Sequence, residues 1–309
     1  MKLFEYLPYY DKNPHQQWGI EIEVESSLPL HNGDHPNKYW YYEEDGSLRN
    51  QWNHELVLKK PLSKVNVKKA LDYQYNKYKE NNCVVEPSVR TGVHVHYNCL
   101  GLTQKQIVNI ILVYLTMERV LTRYCGEDRD GNLFCFRARD CGLYNEYLKQ
   151  SLVTGNWHYL DTDKIRYSSL NLTALMRHGT LEFRAFKTPE DIREVYDWVC
   201  LLDNLCNYAL NLEFSEKIPY DLSYHGFDMW IRQVLGDEYF AKVWYEGMEK
   251  DVKHDMRTIQ MLYHTKITPW KEKKEEVKKV KVELDLHKLN DAKKFFHGLP
   301  EIGEEEPDF

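Results

Sequence analysis

Two segments of the chain alternate between apolar and polar residues. Residues 17–25 (QWGIEIEVE) alternate isoleucine or valine with glutamate, and residues 90–98 (RTGVHVHYN) alternate apolar residues with histidine. Because successive side chains of a strand point to opposite faces, each segment predicts a strand with one packed face and one polar face. Residues 55–58, 165–173 and 180–187 predict three further strands on the same grounds.

Helices are expected between these strands. Ser63 precedes a helical pattern that reaches Glu80, and Thr103 opens a long helix that ends near residues 125–126. Gln106 stands three residues after Thr103, which is the spacing of a capping box. The sequence TPED at 188–191 predicts the start of another helix, which runs to about residue 210.

The order of elements favours an α+β fold with a mixed or antiparallel sheet and flanking helices. Residues 28–52 and 126–163 are expected to be mostly loops. We divide the chain into a domain at 1–214 and a helical C-terminal extension at 215–309. The extension contains a charged segment, a strand-like alternation at 280–286 and an acidic tail.

Composition narrows the class of protein. The 309 residues are 42% hydrophobic and 14% aromatic, which is enough for a sizeable core. The net charge of −7 argues against a dedicated nucleic-acid binder. The lysine-rich run at 271–281 is interleaved with glutamates and is therefore interpreted as a solvated face.

The cysteines and the apolar runs point to a cytoplasmic protein without a membrane partner. The seven cysteines form no CxxC motif, which favours reduced thiols. The N-terminal segment lacks the apolar core of a secretory signal, and no run of 18 apolar residues occurs.

Chemistry is concentrated on the polar faces of three strands that are distant in sequence. The pairs are Glu21/Glu23, His94/His96 and Glu182/Arg184. In the strand at 180–187, the same alternation places Phe186 beside Glu182 and Arg184. A face crowded with carboxylates is costly unless a cation compensates it.

Carboxylates with an imidazole suit Mg²⁺ or Mn²⁺ with a bound phosphate better than tetrahedral zinc. The forked guanidinium of Arg184 suits a phosphate oxygen. Each pair alone also has a structural explanation: a solvated sheet face, surface histidines, or a cross-strand ion pair. The recurrence of such pairs on three strands favours a site. P-loop, HExxH and GxSxG motifs are absent.

The ordered motifs resemble those of the amidoligase family of phages and bacteria, which are carboxylate–amine ligases with the glutamine synthetase fold. The resemblance covers residues 17 to 200. The matching segments are Gly19–Glu23 (GIEIE), Glu44–Ser47 (EDGS), Glu55–Leu58 (ELVL), Gly92–His96 (GVHVH), Ser169–Asn171 (SLN) and Thr180–Arg184 (TLEFR).

The resemblance implies ATP-dependent amide formation through an acyl phosphate. It implies metal ligands at Glu21, Glu23, Glu55, His94 and Glu182. It also implies that His96 and Arg184 contact the transferring phosphate, and that Asn171, Ser47 and Asp45 border the nucleotide or substrate. The cofactors would be ATP and Mg²⁺ or Mn²⁺, and the substrates a small-molecule or peptide carboxylate and an amine.

One motif departs from the family pattern, and two other functions remain open. Family members often place Ser-Pro soon after the acidic strand residue, whereas Glu55 is followed by LVLKKP. The same face is compatible with a metal-dependent phosphohydrolase, or with a non-catalytic binding or virion-associated protein. The resemblance leaves the oligomeric state open, because relatives include monomers and rings.

Overall fold

The computed structural model describes residues 1–7, 17–29, 37–138 and 140–270. The strands are β1 (Trp18–Glu25), β2 (Trp40–Glu43), β3 (Asn53–Leu58), β4 (Gly92–Asn98), β5 (Leu170–Asn171) and β6 (Thr180–Lys187). The helices are α1 (Leu3–Tyr6), α2 (Lys64–Glu80), α3 (Gln104–Thr116), α4 (Glu118–Tyr124), α5 (Tyr144–Thr154), α6 (Thr173–His178), α7 (Val195–Asn211), α8 (Lys217–His225), α9 (Phe227–Leu235), α10 (Asp237–Val243), α11 (Met248–Thr258) and α12 (Gln260–Tyr263).

The strands form one open sheet in the order β2-β3-β1-β4-β6-β5, and each neighbouring pair is antiparallel. The expected α+β class with an antiparallel sheet is therefore confirmed. The strongly alternating segments are strands with nearly the predicted bounds, because a sheet that is packed on one face fixes the side of every residue.

The apolar face of the sheet carries a helical layer. Tyr114 of α3 packs against Phe183 of β6, with ring centroids 5.3 Å apart. Trp198 of α7 stacks on Phe186 at 5.7 Å. Phe186 thus contacts the helices, and its predicted place beside Arg184 was wrong. The reason is an irregularity in the β4–β6 register between Val93 and Val95. It reverses the face to which the following side chains of β6 point.

The structure confirms one of two predicted helix starts and corrects the other. Thr103 forms the predicted capping box with Gln106, and its hydroxyl accepts from the Gln106 amide. The start at Thr188 was wrong, because its hydroxyl donates instead to the carbonyl of Glu23 at 2.8 Å. Asp191 caps a short 3-10 turn, and α7 begins only after that turn.

Other expected elements differ in type. The helix predicted from Thr103 to about residue 125 is divided into α3 and α4 at Met117. The range 126–163 includes α5, and 28–52 includes β2. The strand predicted at 165–173 is reduced to the two residues of β5, followed directly by α6.

The helices after residue 214 pack on the helical layer, and the described residues form one compact unit. Arg119 of α4 is ion-paired with Asp255 of α11 at 2.8 Å, and Thr116 of α3 is hydrogen-bonded to Tyr263 of α12. No helix within the described ranges is long and apolar enough to cross a membrane. The predicted charged segment, the 280–286 alternation and the acidic tail lie outside the described residues.

Candidate functional site

The strand register brings the three polar pairs together on the face opposite the helices. Glu21 of β1 lies directly opposite His94 of β4. His96 lies opposite Glu182 of β6, and Glu182 in turn lies opposite Asn171 of β5. Residues that are far apart in the chain therefore form adjacent rows across four strands.

A second acidic row runs across the other half of the sheet. Glu23 of β1 lies opposite Glu55 of β3, and Glu55 lies opposite Glu43 of β2. Like charges directly opposite one another destabilise a sheet. Their accumulation on one face therefore indicates a surface that is suited to cations.

Apart from Glu43, the residues of these rows form the floor of a cleft of about 450 Å³. Every site residue that the sequence analysis named lines it. Those residues are Glu21, Glu23, Asp45, Ser47, Glu55, His94, His96, Asn171, Glu182 and Arg184.

Glu21 contacts both histidines. Its Oε2 lies 3.2 Å from Nδ1 of His94, and its Oε1 lies 3.4 Å from Nε2 of His96. The other ring nitrogen of His96 is hydrogen-bonded to the hydroxyl of Thr180 at 3.0 Å. This bond fixes the ring and directs Nε2 toward the carboxylates. Nε2 is buried and has no hydrogen-bond partner among the described residues.

Glu182 is held from two sides. The Asn171 amide donates to its Oε2 at 2.6 Å, and Nη1 of Arg184 donates to its Oε1. The same Nη1 lies 3.4 Å from Nδ1 of His94. Glu182 is 6% and Arg184 is 7% exposed, so this ion pair is shielded from solvent. The arrangement keeps one guanidinium beside both the carboxylate row and the cleft.

Hydrogen bonds also hold the remaining predicted residues, Glu23, Asp45 and Ser47. The Gly92 amide donates to Oε2 of Glu23 at 2.7 Å. The Asp45 side chain accepts from the Ser47 amide in a turn, and Arg90 donates to the Ser47 carbonyl at 3.1 Å. This turn therefore borders the cleft through backbone and side-chain bonds that fix its shape.

Burial and neighbouring charge separate the carboxyl groups into two kinds. Burial opposes ionisation of Glu182, but the nearby His96 and Arg184 hold its pKa at about 2. Burial likewise opposes ionisation of Glu21, yet the adjacent imidazoles of His94 and His96 hold its pKa well below the usual range. These two groups are carboxylates at neutral pH.

Glu55 belongs to the opposite kind. Burial and then the negative charges of Glu21 and Glu23 raise its pKa to about 8. The pKa of Glu23 is also raised, chiefly by burial. A bound cation would replace the proton that Glu55 otherwise keeps, because it compensates the same negative field.

Two sets of ligand atoms could hold metal ions. One is formed by Glu21, His96 and Glu182, and the other by Glu21, Glu55 and His94, with the atoms of each set within 4.8 Å of one another. Oxygen donors with one imidazole suit Mn²⁺ or Mg²⁺. Among the described residues, Glu23 is in neither set, whereas His96, which was expected to contact phosphate, is in one.

The cleft wall contains residues that the sequence analysis missed. They come from loops and from α6, including part of the segment 165–173 that was predicted as a strand. These residues are Glu44, Phe134, Arg166, Tyr167, Thr173, Ala174, Arg177 and His178. Their proximity to the SLN and TLEFR motifs in sequence was the one available signal for the last six.

No protein-family model matches the chain, and no curated protein matches it significantly. The functional interpretation therefore depends on the geometry and chemistry of the cleft.

Proposed function

We propose that this protein is an ATP-dependent carboxylate–amine ligase of the glutamine synthetase-like type that uses Mg²⁺ or Mn²⁺. The observation that carries the proposal is the pair of ligand sets that share Glu21, with Arg184 adjacent to both. The resemblance of the strand motifs to amidoligases supports the same assignment.

The donor set fits a divalent cation. The face concentrates carboxylates, and the pKa of Glu55 is raised to about 8, first by burial and then by its negatively charged neighbours. The buried Nε2 of His96 has no hydrogen-bond partner among the described residues and is directed at Glu21. Bound divalent metal would neutralise phosphate charge and polarise the transferring phosphoryl group.

The protein's own side chains supply orientation and positive charge. Arg184 is fixed by Glu182, and it offers forked donors to phosphoryl oxygens. Asn171 fixes Glu182 in turn. Such preorganised donors stabilise charge that develops during transfer, because they need not reorient when the reaction occurs.

In the proposed reaction, a substrate carboxylate oxygen attacks the γ-phosphorus of ATP and releases ADP. The amine nitrogen then attacks the acyl carbon, loses a proton and expels phosphate, which keeps the carboxylate oxygen that attacked ATP. The substrates would be a small-molecule or peptide carboxylate and an amine. We place the reaction in the cytoplasm, in keeping with the seven free thiols.

The test measures ADP and amide together. The protein is incubated with ATP, Mg²⁺ and pools of amino acids and peptides, with hydroxylamine as the amine. The ligase predicts ADP and hydroxamate in equal amounts, and loss of both in Glu182→Gln but not in Glu80→Gln, an exposed control on α2.

Other outcomes would contradict the ligase. ADP and phosphate without hydroxamate in every pool would identify a phosphohydrolase. If the protein neither binds nucleotide nor turns it over, it is a non-catalytic protein.

A further inference from the structure

Strand β6 contains an extra residue where it pairs with β4. Val95 lies opposite Phe183 and Val93 lies opposite Phe186, so Arg184 and Ala185 together oppose a single residue of β4. A bulge of this kind bends the strand and redirects its side chains. Here Arg184 lies in the cleft beside His94, while Phe186 returns to the helical layer.

One buried arginine binds both carbonyls of the bulge. Nε of Arg129 donates to the Ala185 carbonyl at 2.9 Å, and Nη2 donates to the Arg184 carbonyl at 3.0 Å. Arg129 ends a 3-10 turn and is 1% exposed. The two carbonyls belong to consecutive residues, so a single forked group holds both at once.

The space for this guanidinium depends on Gly92. A Cβ at that position would lie 3.1 Å from Nη2 of Arg129 and 3.2 Å from Oε2 of Glu23. The absent side chain lets the guanidinium approach β4 directly beside an acidic cleft residue. Both contacts are tighter than ordinary carbon packing.

Burial of the charged Arg129 side chain costs free energy, although it bonds two carbonyls. Its Nη1 is buried without a hydrogen-bond partner among the described residues. Burying a cation on these terms opposes folding. The two bonds that Arg129 does make both go to the bulge, which ties this arginine to the point where β6 redirects its side chains.

We propose that Arg129 is a positioning residue: it fixes the β6 bulge and thereby holds the Arg184 side chain against Glu182 and His94. The effect on turnover rests on the proposed ligase function. The effect on the geometry of the site does not, and it is measured separately.

The first readout needs no activity. The ring-nitrogen chemical shift of His94, assigned with His94→Gln, is recorded by NMR in the metal-free protein. Arg129→Lys is expected to shift it in the same direction as Arg184→Lys, because Nη1 of Arg184 lies 3.4 Å from that ring. Arg119→Lys, whose side chain pairs with α11, is the control and should leave it unchanged.

If Arg129→Lys does not fold, Arg129→Gln decides, since its neutral side-chain amide cannot bond both carbonyls as the fork does. A wild-type His94 shift in whichever of these variants folds would overturn the proposal.

The second readout is ADP release. Arg129→Lys should slow turnover by about 10-fold to 100-fold, the scale of a small misplacement of a catalytic group. The double variant Arg129→Lys/Arg184→Lys should be no slower than Arg184→Lys alone, because residues that act through one group are not additive.

If the double variant loses turnover by the product of the two single losses, Arg129 does not act through Arg184 and the proposal is overturned. A wild-type protein without ligase activity, but with the expected His94 shifts, would reject the proposed function and leave the positioning role standing.

Discussion

Glu21 is the residue on which the candidate site most depends. Its two oxygens contact different histidines, at 3.2 Å and 3.4 Å, and both sets of ligand atoms include it. Glu55 and Glu182 each belong to one set only. Substitutions at these three positions therefore have different expected effects on metal binding.

We predict that Glu21→Gln weakens Mn²⁺ binding at both sets by at least about 10-fold. Loss of a residue that only hydrogen-bonds a metal ligand already lowers metal affinity on that scale. Glu55→Gln and Glu182→Gln should each affect one set. An electron paramagnetic resonance titration with Mn²⁺ alone measures the number and affinity of bound ions. Wild-type binding by Glu21→Gln would contradict the shared-ligand arrangement, and Glu80→Gln controls for lost surface charge.

Glu55 gives a prediction about pH. Its pKa is raised from 4.5 to about 8, first by burial and then by Glu21 and Glu23. Between those pH values the folded protein keeps a proton that the unfolded chain has lost, so its free energy of unfolding falls as pH rises. Glu55→Gln should remove this part of the slope and stabilise the metal-free protein at pH 8.5, on the order of 1 kcal/mol after solvent screening.

The measurement is urea unfolding at pH 5 and pH 8.5. The difference between variant and wild type is the relevant quantity, because the raised pKa values of Glu118 (about 8) and Asp255 (about 6) add slopes of the same sign. Identical slopes in both proteins would show that Glu55 does not carry the extra proton.

Arg184→Lys separates a phosphoryl-binding role from a structural ion pair. Lysine keeps the charge beside Glu182 but loses the forked donors. We expect turnover to fall by about 100-fold or more, the scale of a lost transition-state donor, with the melting temperature nearly unchanged. Near-wild-type ADP release from the folded variant would remove Arg184 from the mechanism.

At the scale of elements, strands with one packed face were predictable and local irregularities were not. The alternation in β1 and β4 placed Glu21 and His94 on one face, as the register confirms. The β6 bulge left no trace in the alternation of TLEFRAFK, so Phe186 was assigned to the wrong face. Thr188 resembled a helix cap, but its hydroxyl donates to the distant Glu23 carbonyl instead.

The junction between α6 and β6 gives a prediction about stability. Gly179 ends α6 with φ +68°, and a Cβ there would lie 2.5 Å from a methyl carbon of Leu100. Gly179→Ala should destabilise the protein by about 1–3 kcal/mol through the left-handed backbone and this contact. Gly46→Ala is the control, since a Cβ added at Gly46 would have no atom within 4 Å. Equal urea midpoints for the two variants would refute the expectation.

At the scale of the molecule, the cleft floor could be predicted and its wall could not. The floor residues lie on strands whose period fixes their direction. Arg166, Tyr167 and His178 reach the cleft through loops and a helix end, where no period relates position to direction. The sheet order, which brings Glu182 beside His96, also follows from long-range pairing rather than from local sequence.

The proposed ligase reaction requires that a substrate carboxylate attack ATP in this cleft. The most direct measurement uses the carboxylate found in the hydroxylamine assay, labelled with ¹⁸O, in unlabelled water with ATP and Mg²⁺. We predict one ¹⁸O atom in the released phosphate for each amide formed, because the carboxylate oxygen that attacks ATP leaves with the phosphoryl group. Phosphate without ¹⁸O would mean that water or another group attacks ATP, and would contradict the ligase mechanism.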